Sequence, residues 1–301
     1  MGSTVATDEK TGRKFYLDDP DDMKPGEQLV FLLNLHGGGS VGAWQRLYFP
    51  AFDYKERYRL VIATPSAATK EPMRRWVAEA DDDHLRNIVE YVFEKYGVEH
   101  IRAFWLVGHS QGGMTSNRLL SQDYFKDRVD GWLSLSGGRI GPVEIPASFF
   151  PPSRGTPPPA QAATPGGDAP RPGRAVKPEC DISFIFATGE HEMVALPASS
   201  PWAEKYGAGP RTRLADVVDD QPGQIHDTSR EGKSTPGWGL SPRPGTAQVF
   251  SYPNGRGGKV IADVVRLDKG HTEGLEPRVT ETLVQMIAGA PGGKAQGANV
   301  P

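Results

Sequence analysis

Ile101 to Gly113 read Ile-Arg-Ala-Phe-Trp-Leu-Val-Gly-His-Ser-Gln-Gly-Gly. Ile101 to Val107 is an apolar run of strand length, and a helix-like run follows the glycines. A G-x-S-x-G passage between strand and helix holds its serine in a strained backbone. Gly108 and Gly112 flank Ser110 at two residues on either side and leave room for neighbouring chain. The Ser110 hydroxyl then stands clear of the sheet edge, open to a base on one side and a substrate on the other. The plain alternative is a glycine-rich turn whose serine only caps the helix. The β-rich run before the turn and the apolar-periodic stretch after it favour a nucleophile.

Outward from this turn the chain alternates strand and helix patterns. Gln28–Leu35, Leu60–Ala63, Gly131–Leu135, Ile182–Ala187 and Val260–Leu267 are further apolar runs of strand length. Continuous apolar runs suit parallel strands covered on both faces. Leu85, Ile88, Val89, Val92, Phe93 and Tyr96 recur at helical spacing, with Asp81 to Asp83 expected at the helix start and Gly97 at its stop. Val279, Leu283, Met286 and Ile287 predict a last helix with Pro277 in its first turn. This alternation predicts an α/β fold with a mostly parallel central sheet and helices on both faces. The active site of such a sheet lies beyond the carboxyl ends of its strands, where Ser110 falls.

One domain over residues 1–290 is expected. Residues 1–27 are polar and predict an edge strand or hairpin. Residues 141–180 hold eleven prolines and little apolar periodicity, and read as an insertion. Residues 207–247 read as an irregular, cleft-lining segment, and residues 291–301 as a flexible tail.

The chain has 301 residues, 37% hydrophobic and 24% charged, enough for a sizeable core. A net charge of -3 with no basic stripe argues against a nucleic-acid partner. Cys180 is the only cysteine, so no internal disulfide forms. No apolar run reaches the ~18 residues of a membrane span. Met1 to Lys14 has no hydrophobic signal-peptide core. The expected location is the cytoplasm, or the exterior with a leader outside this chain.

A serine nucleophile needs a base, a group to orient that base, and donors for an oxyanion. His271 is the leading base: it follows the strand 260–267 through Asp268-Lys269-Gly270, and Gly270 allows the sharp turn that returns the ring to the sheet edge. His226 is its main competitor. His36 and His109 flank glycine turns and read as loop supports, while His84 and His100 flank a helix. The acid is expected after the strand 182–187, in Gly189-Glu190-His191-Glu192. Glu192 is favoured, with Glu190 next and Asp216 or Asp227 behind it. A metal reading of His191-Glu192 fails because H-E-x-x-H needs a histidine where Ala195 stands. The expected oxyanion donors are the amide of Gln111 and, from His36-Gly37-Gly38-Gly39, that of Gly38, with Gly37 and Gly39 as alternatives. His109, Trp44, Trp76 and Trp238 are candidate substrate contacts. Trp202 and Arg139 are weaker ones. No metal or cofactor is expected.

The order His-Gly-Gly-Gly, Gly-His-Ser-Gln-Gly-Gly, acid loop and Gly-His before a last helix resembles the α/β-hydrolase superfamily. Within it the chain is similar to the polyhydroxybutyrate depolymerase and feruloyl-esterase-like group. Trp76 ahead of Asp82-Asp83, Leu133-Ser134-Leu135-Ser136-Gly137-Gly138, and Lys269-Gly270-His271 carry that likeness. It spans about residues 28–140, 180–206 and 248–288. The group commonly has aspartate as its acid, where this loop offers glutamate. The resemblance implies an α/β-hydrolase fold and ester hydrolysis through an acyl-enzyme by Ser110, Glu192 and His271, on a small or oligomeric ester. A prolyl-oligopeptidase-type peptidase and a non-catalytic binding protein of the same fold are the competing readings.

Overall fold

The computed structural model describes residues 3–138, 141–142, 174–175, 179–192, 196, 199–226 and 242–298. Most of the proline-rich insertion, Arg139, Asp227 and Trp238 lie outside them.

β1 (Ser3–Asp8) and β2 (Arg13–Asp18) form the hairpin expected of the polar N-terminal stretch. β3 (Leu29–Leu35), α1 (Gly42–Tyr48), β4 (Leu60–Pro65), α2 (Ala78–Tyr96), β5 (Ile101–His109), α3 (Gln111–Leu119) and β6 (Gly131–Leu135) follow. Then come β7 (Ser183–Gly189), α4 (Pro201–Tyr206), β8 (Thr246–Ser251), β9 (Ile261–Arg266), α5 (Pro277–Gly289) and α6 (Lys294–Ala298). Neighbours in the sheet run β1-β2-β4-β3-β5-β6-β7-β9-β8. From β4 to β9 the pairing is parallel, while β1, β2 and β8 join antiparallel at the two edges.

The apolar runs become interior strands because both faces are covered. Leu29, Phe31, Leu33 and Leu35 of β3 face the layer holding Leu85, Ile88, Val89 and Val92 of α2. Val30 and Leu32 face the other layer, with Tyr48 of α1 and Val279, Leu283, Val284 and Ile287 of α5. The two layers fix the sheet, and β3, β5, β6, β7 and β9 end along one edge.

Three boundaries differ from expectation. α2 starts at Ala78, ahead of Asp81, because the buried Asp81 carboxylate reaches back to the amide of Val77 at 2.8 Å. The segment after α4 is not wholly irregular, since Thr212–Arg213 and Val217–Val218 pair with β8 and extend the sheet. The C-terminal stretch does not fray through residue 298. α6 docks its fully buried Ala295, and the Lys294 amide donates to Asp130 at 3.0 Å. Trp202 is a core residue, stacked on Phe184 and Tyr206 rather than facing a cleft. Among the described residues, no helix is long and apolar enough to cross a membrane.

Candidate active site

Ser110 sits between β5 and α3 with φ 51° and ψ -117°, a backbone that non-glycine residues rarely adopt. Its amide donates to the carbonyl of Leu135 at 2.8 Å, which ties the turn to β6. The two glycines are steric requirements. A Cβ on Gly108 would lie 2.2 Å from the carbonyl carbon of Gly112, and one on Gly112 would lie 2.2 Å from the carbonyl oxygen of Leu35. α3 therefore presses against the ends of β5 and β3, and its first amides open toward the same side as the serine.

The His36-Gly37-Gly38-Gly39 loop lies across from that helix start. A Cβ on Gly38 would come 3.6 Å from Gln111 Oε1 and 3.9 Å from Gln111 Cβ. Among the described residues, neither the Gly38 amide nor the Gln111 amide has an acceptor. The Gly39 amide is already used, donating to Arg74 O at 2.7 Å, which removes Gly39 from the candidate oxyanion donors. His36 supports this loop, as expected. Its Nε2 accepts from the Ala67 amide at 2.9 Å and its Nδ1 donates to Gly37 O at 2.7 Å. Burial pushes its pKa down to about 4, so the ring is neutral near pH 7 and keeps this tautomer.

Trp76 corrects the expectation of a substrate wall. It is buried, its indole N–H donates to His36 O at 2.8 Å, and its ring lies 4.7 Å from that of His36. Its amide donates to Gln111 Oε1 at 3.1 Å. A buried indole needs a partner for its N–H, and the loop carbonyl supplies it. Trp76 thus braces the glycine loop against α3.

The acid loop follows β7 and the histidine loop follows β9. Glu192 Oε2 lies 2.7 Å from His271 Nδ1, with both side chains almost fully buried. Nδ1 carries the proton in this pair, which leaves Nε2 as the basic nitrogen. Ser136 donates its hydroxyl to the other oxygen, Oε1, at 2.6 Å. Glu190 is directed elsewhere, accepting from the amide of Asp268 at 2.8 Å. The Glu190 amide donates to Arg266 O at 2.9 Å and that of His191 to Lys269 O at 3.0 Å, so the two loops are zipped together. Asp216 is taken by Arg213. Among the described residues, the imidazole that Glu192 holds is that of His271 and not that of His226.

His109 connects base and nucleophile. Its ring lies 4.8 Å from that of His271, and its Nε2–H donates to the His271 carbonyl at 2.9 Å. Burial, and then the neighbouring His271, hold its pKa well below the usual imidazole range. His109 is 4% exposed and its ring lies tilted 3.9 Å from that of Tyr48, so it supports the site from inside rather than facing a substrate as expected. Trp44 stands on α1 rather than in a loop. It is half-buried, stacked on Tyr48 at 5.2 Å and 6.1 Å from the His109 ring.

Three features were not anticipated from sequence. Tyr48 is buried against the His109 ring, with its hydroxyl 3.4 Å from the His271 carbonyl, and its helical spacing from Trp44 is the hint the chain gives of it. Ser136 holds the acid. Arg266, Lys269, Glu273 and Glu276 form a buried charge cluster around the histidine loop, each 3% exposed or less. Arg266 meets Glu276 at 2.9 Å and also donates to the carbonyls of Glu273 and Gly274. Lys269 lies 2.9 Å from Glu276 and 3.4 Å from Glu273, which accepts from the Gly270 amide. An arginine inside an apolar strand, with acids seven and ten residues on, is the signal that could have found it. Arg266→Met leaves two buried carbonyls without their donor and Glu276 with Lys269 as its one remaining partner among the described residues. The expected loss is about 3–5 kcal/mol of unfolding free energy in urea denaturation; a loss below about 1 kcal/mol would show the cluster to be dispensable.

No protein-family model matches the sequence, and no curated protein matches it. Among solved structures, the chain is similar to acetyl xylan esterase from Aspergillus awamori at 12% identity and TM-score 0.55, covering 95% of this chain and 100% of that one. The chain has the α/β-hydrolase fold. Looser likenesses include TT1662 from Thermus thermophilus, at 16% identity and TM-score 0.49 over 96% of this chain and 100% of that one. Another is FphF, a fluorophosphonate-binding serine hydrolase of Staphylococcus aureus, at 13% identity and TM-score 0.40 over 63% of this chain and 79% of that one.

Proposed function

We propose that this chain is a serine carboxylic ester hydrolase that works through an acyl-enzyme. The observation that carries the reading is the Glu192–His271 pair, held against the strand end that presents Ser110 in a strained turn. In this reading Ser110 Oγ attacks the ester carbonyl while His271 Nε2 takes its proton. Glu192 keeps the imidazole in the tautomer that leaves Nε2 basic and stabilises the imidazolium as it forms. The amides of Gly38 and Gln111 hold the developing oxyanion, an effect worth about 2.7–4 kcal/mol per donor. His271 then protonates the departing alcohol. Water, deprotonated by the same ring, releases the acid and restores Ser110. No metal or cofactor takes part in these steps.

The substrate class we favour is an ester with an apolar or aromatic acyl part, feruloyl-type or hydroxyalkanoate-type. The support is three exposed apolar side chains on segments that flank the nucleophile or the glycine loop. Met73 is 52% exposed and its thioether lies over Gly38 and Gly39. Met114, 44% exposed, sits one helical turn past Ser110, and Val41, 38% exposed, precedes the helix that carries Trp44. Large apolar side chains left exposed next to a site favour an apolar ligand part. The acetyl xylan esterase that shares the fold is named for a smaller acyl group.

A fluorophosphonate probe is expected to label the wild-type chain, with the adduct on Ser110 by peptide mass spectrometry. Labelling elsewhere, or none on folded protein, would overturn the reading. On p-nitrophenyl esters, Met73→Lys is expected to lower kcat/KM for hexanoate about tenfold more than for acetate, the equivalent of one or two buried methylenes. Equal losses on both esters would remove Met73 from the acyl contact.

A further inference from the structure

Ser136 follows β6 with φ 51°, the left-handed region that favours glycine. Two glycines come directly after it, yet the strained position carries a side chain. That side chain has a definite place. Its hydroxyl donates to Glu192 Oε1 at 2.6 Å, while Oε2 of the same carboxylate holds His271. The backbone amide of Ser136 donates to Ala187 O at 2.7 Å, which locks β6 to β7 just before the acid loop.

The next residue reaches the nucleophile. A Cβ on Gly137 would lie 2.9 Å from the Ser110 carbonyl oxygen and 2.7 Å from the Cα of Gly113. Ser134 closes the turn from below, donating to Gly138 O at 2.7 Å. One short turn therefore touches the acid through Ser136 and the serine elbow through Gly137. A glutamate also has one more rotatable bond than an aspartate, so its carboxylate needs more restraint to present one oxygen to the imidazole.

We propose that Ser136 is a positioning residue for catalysis, which clamps one oxygen of Glu192 so that the other aims the imidazole of His271 at Ser110. The proposal rests on the ester-hydrolase reading above and adds a role that reading does not contain. Ser136 touches no substrate. Its hydroxyl is the short restraint on the rotation of the Glu192 carboxylate, beside a longer 3.4 Å contact from the Gly189 amide to the same oxygen, and the φ of 51° is what brings that hydroxyl into reach.

Ser136→Gly separates this role from a structural one, because glycine relieves the backbone strain while removing the hydroxyl. With p-nitrophenyl acetate, kcat is expected to fall about 10–100-fold, the size of effect produced by an ångström-scale misplacement, with KM within about twofold. The midpoint of thermal unfolding should stay within a few degrees of wild type, since the lost hydrogen bond and the relieved strain oppose each other. Ser136→Ala, which keeps the strain and lacks the hydroxyl, should lose at least as much kcat. In a Glu192→Ala background the Ser136→Gly change should have no further effect, because there is no carboxylate left to clamp. A kcat within about twofold of wild type in either single variant would overturn the proposal, and so would an undiminished loss in the Glu192→Ala background. Fluorophosphonate labelling of Ser110 is run on every variant. If wild type is not labelled at Ser110, the ester-hydrolase reading fails. If wild type is labelled and Ser136→Gly turns over at the wild-type rate, the clamp alone fails.

Discussion

Ser110→Ala is expected to lower kcat for p-nitrophenyl acetate by about 10⁵–10⁶-fold while leaving the protein folded, as removal of the nucleophile does in other triad enzymes. The size follows from the lack of a substitute. Ser134 and Ser136 are the nearest hydroxyls in the strand end beside the elbow. Ser134 already donates to Gly138 O at 2.7 Å and Ser136 to Glu192 at 2.6 Å. Neither can give up its proton to His271 without breaking a bond that shapes the site. The turn should survive the substitution, since its geometry comes from Gly108, Gly112 and the Leu135 carbonyl rather than from the serine side chain. Residual turnover would reflect the Gly38 and Gln111 amides acting on a water-driven reaction. Ser110→Ala combined with His271→Ala should be no slower than Ser110→Ala alone, because the two groups act as one unit. A kcat loss below about tenfold in folded Ser110→Ala would remove Ser110 from the chemistry altogether.

How far the sequence carries this site depends on what each residue's place requires. The elbow is legible because two missing Cβ atoms are a local steric demand, and glycine is the only residue that meets it. The strands are legible because burial on both faces calls for unbroken apolar runs. The position of His271 is legible from a glycine turn between a strand and a helix. The roles of Trp76 and Gly39 are not. Each is decided by a partner far away in the chain: His36 O for the indole and Arg74 O for the amide. Local pattern says that a tryptophan is near a strand end, and only the packing says which way its N–H turns. Ser136 is hidden for a related reason. A serine before two glycines looks like an ordinary turn, and its left-handed backbone follows from β6 pairing with β7. The charge cluster around Arg266 is hidden because Lys269, Glu273 and Glu276 belong to the loop after the strand, and only the packing folds the two glutamates back onto Arg266 and Lys269.

Glu192→Gln is expected to lower kcat by about 10⁴-fold, the loss seen when a triad acid becomes its amide with the geometry intact. The hydrogen bonds say why the loss should be large. Ser136 donates to Oε1, so in the variant the amide oxygen takes that place and the NH₂ group turns toward His271 Nδ1. A donor facing Nδ1 selects the tautomer with its proton on Nε2. That nitrogen then has no lone pair to receive the proton of Ser110, and the ring is lost as a base although nothing has moved. Glu190→Gln gives the control from the same loop. Its side chain is exposed and accepts from the Asp268 amide at 2.8 Å, an interaction that the amide oxygen of glutamine preserves. That variant should stay within about twofold of wild type, as exposed substitutions generally do. If the two results were exchanged, with Glu190→Gln the inactive variant, the acid would be Glu190. The loop would then have to rearrange between the resting chain and the reacting one, with the Asp268 amide released and the His271 ring turned away from Glu192.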